Sequence, residues 1–287
     1  MGLSGRGLLR VTAIDVGEGD CILVQTPTGR TMLIDGGGTH GTDRAGGSNS
    51  GMEERAVGEK VVVPFLRSRG ISEIDVLVIT HPHGDHVGGL GAVVRDLQVE
   101  SVLDGTTLAY PSATYRNLVS AISAKHIPRD AARRGDTVDF GDGVRADILN
   151  PPNIPLIYGS DFGDKTINNY SAVLRLSYKH TTFLLDGDAE VEAEQNMLAA
   201  YPLTYLKADV LKAGHHGSRN ASSDAWLDAV QPRTAIICCG RDNLFRHPHP
   251  ETLARLADHH VQVYRTDLNG SVEADSDGSS VTTHSAT

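Results

Sequence analysis

Four side chains of metal-ligating type stand within six residues, His81-Pro82-His83-Gly84-Asp85-His86, directly after the apolar run Val76-Leu77-Val78-Ile79. A strand that ends in such a turn has to deliver it to a sheet edge, since unpaired polar groups are costly inside an apolar core. Gly84 lets the backbone bend tightly. Adjacent positions in a turn point different ways, so His81 and His83 can face one metal while Asp85 and His86 face a second. Imidazole with carboxylate is a donor set for zinc, with manganese or iron as alternatives. The plain alternative is a histidine-rich surface loop. With 13 histidines in the chain, isolated ones mean little, but this density after a strand favours the metal reading.

The pattern around the turn predicts strands at 8–16, 21–25, 31–34, 75–80, 99–103, 137–140, 144–149, 172–178, 181–186, 209–213, 234–239 and 262–265. Helices are expected over 53–69, 87–97, 112–126, 190–200, 222–230 and 250–259. Residues 39–52 read as a Gly/Ser/Thr/Asn loop. Strand-rich blocks occur in both halves, each followed by helices, and most ligand-type residues follow a strand's C-terminal end. Two sheets packed face to face, with helices outside and a site along one edge, satisfy both facts. The chain of 287 residues suits one large domain over 1–275, with a Ser/Thr/Gly-rich flexible tail at 276–287.

Composition narrows the function. A formal net charge of -10 speaks against a broad basic surface for duplex nucleic acid, although not against a local basic groove. Three cysteines, Cys21, Cys238 and Cys239, cannot form a disulfide framework and read as buried thiols. The N-terminal residues lack a signal-peptide core, and no apolar run reaches the roughly 18 residues of a membrane span. A cytoplasmic protein without membrane contact is the expectation; oligomeric state is not legible.

Further candidates follow other strands. Asp188 lies in Leu185-Asp186-Gly187-Asp188; its carboxylate can bridge two metals, though Asp beside Gly is also a common turn residue. His215 and His216 leave the strand at 209–213 and cannot both face the same way, so either can be the ligand. His247 and His249 sit in a proline-stiffened loop, Phe245-Arg246-His247-Pro248-His249-Pro250. Lys212, Arg219, Asn243 and Arg246 can meet an anionic substrate or be ordinary surface groups. Gly36-Gly37-Gly38 reads as a tight turn near the site rather than a phosphate loop.

Together these segments resemble the metallo-β-lactamase superfamily, whose HxHxDH signature is matched by His81, His83, Asp85 and His86. Within it the chain is similar to the soluble hydrolase domain of ComEC-type competence proteins and its stand-alone relatives. That similarity rests on Asp15–Asp20, Leu33–Gly37, Thr80–Leu90, Asn168–Ser171, Leu185–Ala189, Leu211–Ser218, His247–Pro250 and Tyr264–Asp267, in order along nearly the whole chain. The resemblance implies a four-layer αββα sandwich of two facing mixed sheets with outer helices. It implies two divalent metal ions held by His81, His83, Asp85, His86, Asp188 and the His215-His216 pair, with Asp188 bridging. Many superfamily members place a further histidine where this chain reads Asn168-Asn169-Tyr170-Ser171; His126 is the one alternative, near a helix end.

The expected activity is a dinuclear phosphodiesterase or nuclease, using a metal-bridging hydroxide on DNA or a nucleotide-like phosphodiester. Asp85, His216, His247 and His249 are the expected catalytic side chains, and Asn169, Ser171, Lys212, Ser218 and Asn243 the expected substrate contacts. Single-stranded DNA is the favoured partner. A lactonase, thioesterase or β-lactamase using the same metals is the alternative, and an apolar pocket without basic residues would favour it. A metal-stabilised module without catalysis is a third reading, which the nearly complete ligand set argues against.

Overall fold

The computed structural model describes residues 7–39, 56–106, 112–153 and 162–286. Its strands, in chain order, are β1 Leu9–Ala13, β2 Ile22–Gln25, β3 Thr31–Ile34, β4 Glu73–Ile79, β5 Gln98–Asp104, β6 Arg129–Ala131, β7 Thr137–Asp139 and β8 Val144–Asn150. They continue with β9 Val173–Tyr178, β10 Thr181–Leu185, β11 Val210–Lys212, β12 Thr234–Ile237, β13 Gln262–Arg265, β14 Val272–Ser276 and β15 Val281–Ser285. One sheet has the order β15-β14-β1-β2-β3-β4-β5-β6 and the other β13-β12-β11-β10-β9-β8-β7. Both are mixed: β3 to β6 run parallel in the first, β10 to β13 in the second, and the remaining pairs are antiparallel.

Period-two alternation explains the layers. Ile22 and Val24 of β2, Met32 and Ile34 of β3, and Phe183 and Leu185 of β10 belong to one apolar cluster between the sheets. The intervening Leu23 and Leu33 face outward, onto the helices Val63–Ser68 and Leu90–Asp96. On the second sheet Leu184 and Leu211 face the helices Val191–Ala200, Asp224–Val230 and Pro250–Asp258. Three apolar layers therefore separate four structural layers, which is the αββα sandwich expected. Among the described residues no helix is long and apolar enough to cross a membrane.

The departures from expectation have local causes. The tail expected to be flexible instead forms β15, paired with β14 over Val281–Ser285. Its Ser/Gly content makes the connecting turn, where Asp277 Oδ1 accepts from the amides of Ser279 and Ser280. β14 itself buries Val272, Ala274 and Ser276, while Glu273 and Asp275 reach Arg69 and Arg10. The short edge strand β6 has no apolar signal because all three of its residues are exposed. The helix expected from 53 is described from 56, and its Gly58–Val62 turn is a π-helix. The loop reading for 39–52 lies, beyond Thr39, outside the described residues. Cys238 and Cys239 fall just past β12 rather than within it, and are buried.

Candidate metal centre

Parallel strands β4, β10 and β11 all end at the same edge of the sandwich, and their C-terminal turns carry the ligand-type residues. After β4, His83 takes an extended conformation and opens the one-turn helix Gly84–Val87, so His81 and His83 precede it while Asp85 and His86 lie on it. Two glycines make room. A Cβ at Gly38 would sit 2.0 Å from the Gly84 carbonyl oxygen, and one at Gly19 2.2 Å from that of Asp85. The Gly36–Gly38 triplet thus cradles the ligand turn itself.

The side chains converge into two groups that share Asp188. His81, His83 and Asp188 form one, and Asp85, His86, Asp188 and His216 the other, all buried. Asp188 Oδ2 lies 3.8 Å from His81 Nε2, whereas its Oδ1 lies 3.2 Å from His86 Nε2 and 3.4 Å from His216 Nε2. Each carboxylate oxygen therefore faces a different group. Asp85 Oδ2 is 3.5 Å from His216 Nε2.

The buried donor chemistry fits divalent cations. Both Asp188 oxygens, His86 Nε2 and His216 Nε2 have no hydrogen-bond partner, a costly state for buried polar atoms unless an ion meets them. Burial and the neighbouring His86 and His83 press the His81 imidazole well below its ordinary pKa, the neutral form that a metal needs. Burial also opposes charge on His86 and His216, yet Asp188 draws both well above the ordinary histidine range. Asp188 in turn resists its own burial: His216, His86 and His215 hold its carboxyl well below the usual range.

The His215-His216 pair is resolved by backbone geometry. Both residues are left-handed, with φ of 45° and 52°, which costs roughly 1–3 kcal/mol each. The turn is pinned by the His215 amide donating to the Gly187 carbonyl at 3.0 Å. His216 Nδ1 lies 2.9 Å from the Cys238 carbonyl oxygen. His216 is sent into the four-member group and His215 to the rim, where its Nδ1 lies 2.9 Å from Glu190. His126 is exposed and in neither group.

A cavity of about 200 Å³ opens over the groups, lined by Asp85, Asp164, Lys165, Asn168, Glu190, His215, His216, Phe245 and His247. His247 Nδ1 lies 2.8 Å from Glu18, and its ring centroid 5.2 Å from that of His215. The His249 ring centroid lies 5.0 Å from that of His247, and the His249 Nδ1 accepts from the Arg219 amide at 3.1 Å.

The five residues expected to contact substrate are each engaged within the fold. Lys212 is buried between the sheets, its Nζ 2.5 Å from Asp20 and donating to the Gly187 carbonyl. Burial would strip its proton, but Asp20 and Asp188 hold its pKa above the ordinary lysine value. Asn169 accepts from the amides of Glu190 and Ala193. The Ser171 hydroxyl accepts from the Asp188 amide and contacts His81 Nδ1. Ser218 is buried against Asn220 and Thr252, and Asn243 braces the His247 loop. Their polar groups are committed to the fold.

What residue patterns missed are the carboxylates behind the imidazoles. Asp35 lies 2.7 Å from His86 Nδ1 and takes both Thr80 donors; Glu18, Asp20 and Glu190 stand behind His247, His216 and His215. Asp20 and Asp35 lie in segments already notable for an Asp next to Gly after a strand, the same signal that marked Asp188.

Two mixed sheets sharing a histidine–aspartate edge define a metal-binding αββα protein. The chain belongs to the metallo-β-lactamase superfamily, whose family model matches residues 14–160. It is 33% identical over 276 residues to ComE operon protein 3 of Bacillus subtilis (strain 168), covering 94% of this chain and 33% of that one. To competence protein ComA of Neisseria gonorrhoeae it is 29% identical over 263 residues, covering 92% and 32%. The chain thus spans about a third of the length of these relatives, and the similarity to ComEC-type proteins holds for that part. The solved structure of CmlA, a diiron β-hydroxylase from Streptomyces venezuelae, shares the fold with a TM-score of 0.53 at 15% identity, over 96% of this chain and 55% of CmlA.

Proposed function

We propose that this metallo-β-lactamase-fold protein is a dinuclear metal-dependent phosphodiesterase acting on DNA or a nucleotide-like phosphodiester. The observation that carries the reading is the arrangement at the cleft: two ligand groups sharing Asp188 lie beneath a rim that carries Lys165 and two histidines, His215 and His247. The competence role in the name of the Neisseria relative adds support for a DNA substrate.

His81, His83 and Asp188 would hold one cation, and Asp85, His86, Asp188 and His216 the other. Two such cations, zinc first with manganese or iron as alternatives, supply Lewis acidity and acidify a water toward hydroxide near neutral pH. The three-member group leaves room for substrate oxygens, the open position that catalytic sites keep. His215 and His247 take the proton-transfer role, each fixed through Nδ1 by a carboxylate, Glu190 or Glu18. With Nδ1–H given to the carboxylate, Nε2 faces the cleft, where the ring in its imidazolium form would pass its Nε2 proton to the departing oxygen. Asn168, in the stretch 168–171 where many superfamily members place a further histidine, lines the same cleft.

The test is turnover of bis-p-nitrophenyl phosphate and single-stranded DNA by protein loaded with Zn²⁺ or Mn²⁺, metal content being measured alongside. Cleavage of both, lost in Asp188→Asn, is expected. Full metal occupancy without cleavage of either, or turnover of nitrocefin in their place, overturns the proposal.

A further inference from the structure

The cleft is small for the substrate it is proposed to serve. Its 200 Å³ falls below the roughly 300–1,000 Å³ of sites that enclose a small molecule. It can take a phosphodiester group, while the attached nucleosides must lie over its rim. At that rim the chain leaves two apolar side chains in water: Leu244 is 95% exposed and Phe245 40%. Exposed apolar groups beside a functional cleft mark a contact surface.

This part of the rim is rigidly built. Asn243 donates from Nδ2 to the carbonyls of Gly240 and His247, and its Oδ1 accepts from the His247 amide. Asp242 and Arg246 are held left-handed, with φ of 54° and 61°, a strain that persists only where surrounding structure enforces it. The Phe245 ring lies nearly parallel to that of His247, at 22° and 5.6 Å between centroids, and His247 is itself fixed by Glu18. Two exposed cations are available on this side: Arg246 follows Phe245 in sequence and Lys165 lines the same cleft.

From this geometry we infer that Phe245, extended by Leu244, is a stacking platform for the nucleobase next to the scissile phosphodiester. The inference rests on the phosphodiesterase reading and narrows it to single-stranded or frayed substrate. A base inside a duplex has both faces covered by its neighbours, whereas an unpaired base can offer a face to an aromatic side chain. Lys165 and Arg246 then meet flanking phosphates, so that base and backbone are held together. A net acidic protein can bind a strand in this way, through a local cation pair and a π-face instead of a broad basic surface.

The experiment compares a short oligothymidylate with an abasic strand of equal length, both phosphorothioate-linked and labelled. Affinity for the full-length chain is read by fluorescence anisotropy, with and without Zn²⁺. The base-bearing strand is expected to bind about tenfold tighter, within the range measured for base–aromatic stacking. Phe245→Ala should abolish that preference while Phe245→Trp keeps it, with unchanged melting temperatures showing that both variants fold. Equal binding of the two strands by the unaltered chain, or an undiminished preference in Phe245→Ala, overturns the inference. Cleavage of bis-p-nitrophenyl phosphate is measured in parallel: if it persists while base preference is absent, stacking alone fails. If metal-loaded protein cleaves neither bis-p-nitrophenyl phosphate nor unmodified single-stranded DNA, the underlying reading fails with it.

Discussion

At the residue scale the site depends on buried charge that each neighbour helps to set. Asp186, two positions before Asp188, is fully buried and accepts from the Trp226 indole nitrogen at 2.9 Å. Burial pushes its carboxyl up to about 8, against the opposing Trp226 hydrogen bond, with nearby Glu194 adding to the rise. Its proton is therefore taken up on folding between an unfolded value near 3.8 and about 8. A group raised in this way gives stability that is full below the unfolded pKa and is lost as pH climbs through that window. Urea midpoints of chelator-treated protein should fall from pH 5 to pH 8, and Asp186→Asn should flatten the decline by an amount on the order of a few kcal/mol. A variant whose pH dependence matched the parent chain would show that Asp186 is ionised when folded. Lys212 shows how such environments hide from a linear reading. As a cation it can meet an anionic substrate or be a surface charge on sequence grounds, yet the period-two pattern that turns Val210 inward also turns Lys212 inward, onto Asp20. The sequence does contain that alternation; the pairing with Asp20, far away along the chain, is a tertiary fact.

At the element scale, strand ends were the legible part, since β4, β10 and β11 announce themselves as apolar runs that stop at a Gly/His/Asp turn. The hairpin of β14 and β15 was not, because an edge strand with polar outer positions carries half the apolar signal of a central one. The splitting of His215 from His216 was equally out of reach, as it depends on two consecutive left-handed residues held by tertiary partners, the Gly187 and Cys238 carbonyls among them. The ligand turn owes its shape to a neighbouring turn as much as to its own residues. Gly38, at φ 146°, touches the backbone of both Gly84 and Gly88. Gly38→Ala should therefore displace the Gly84–Val87 helix, lowering metal affinity at least about tenfold and stability by roughly 1–3 kcal/mol. Gly29→Ala is the control: Gly29 also has positive φ, at 93°, but no atom lies within 4 Å of an added Cβ. It should cost conformational strain yet leave metal affinity unchanged, as a competitive chelator titration would read. Equal loss of affinity in both would assign the effect to backbone strain in general rather than to the packing of the ligand turn.

At the scale of the whole molecule the centre is a junction between the two sheets. His81, His83, Asp85 and His86 follow β4 of the first sheet, while Asp188 and His216 follow β10 and β11 of the second. Direct bonds across this edge include the Ala172 amide donating to the Thr80 carbonyl at 2.9 Å, Ser171 contacting His81, Lys212 and His216 paired with Asp20, and His247 paired with Glu18. Both ligand groups draw on both sheets through Asp188, so a bound cation would tie the layers together as well as equip the site. Binding confined to the folded state stabilises by about 2.7 kcal/mol when free metal is a hundredfold above its Kd. For a chain of this size that corresponds to a rise of roughly 5–10 °C in melting temperature. Removing metal with a chelator should reverse the rise, and hydrogen exchange should quicken at Thr80, Ala172 and His215, whose amides or carbonyls lie along the junction. In Asp188→Asn the difference between loaded and chelated protein should shrink to a small fraction of that seen in the parent chain, whatever its absolute melting temperature. A shift of full size in that variant would show that the two groups bind cations independently, and that Asp188 does not couple the sheets through metal.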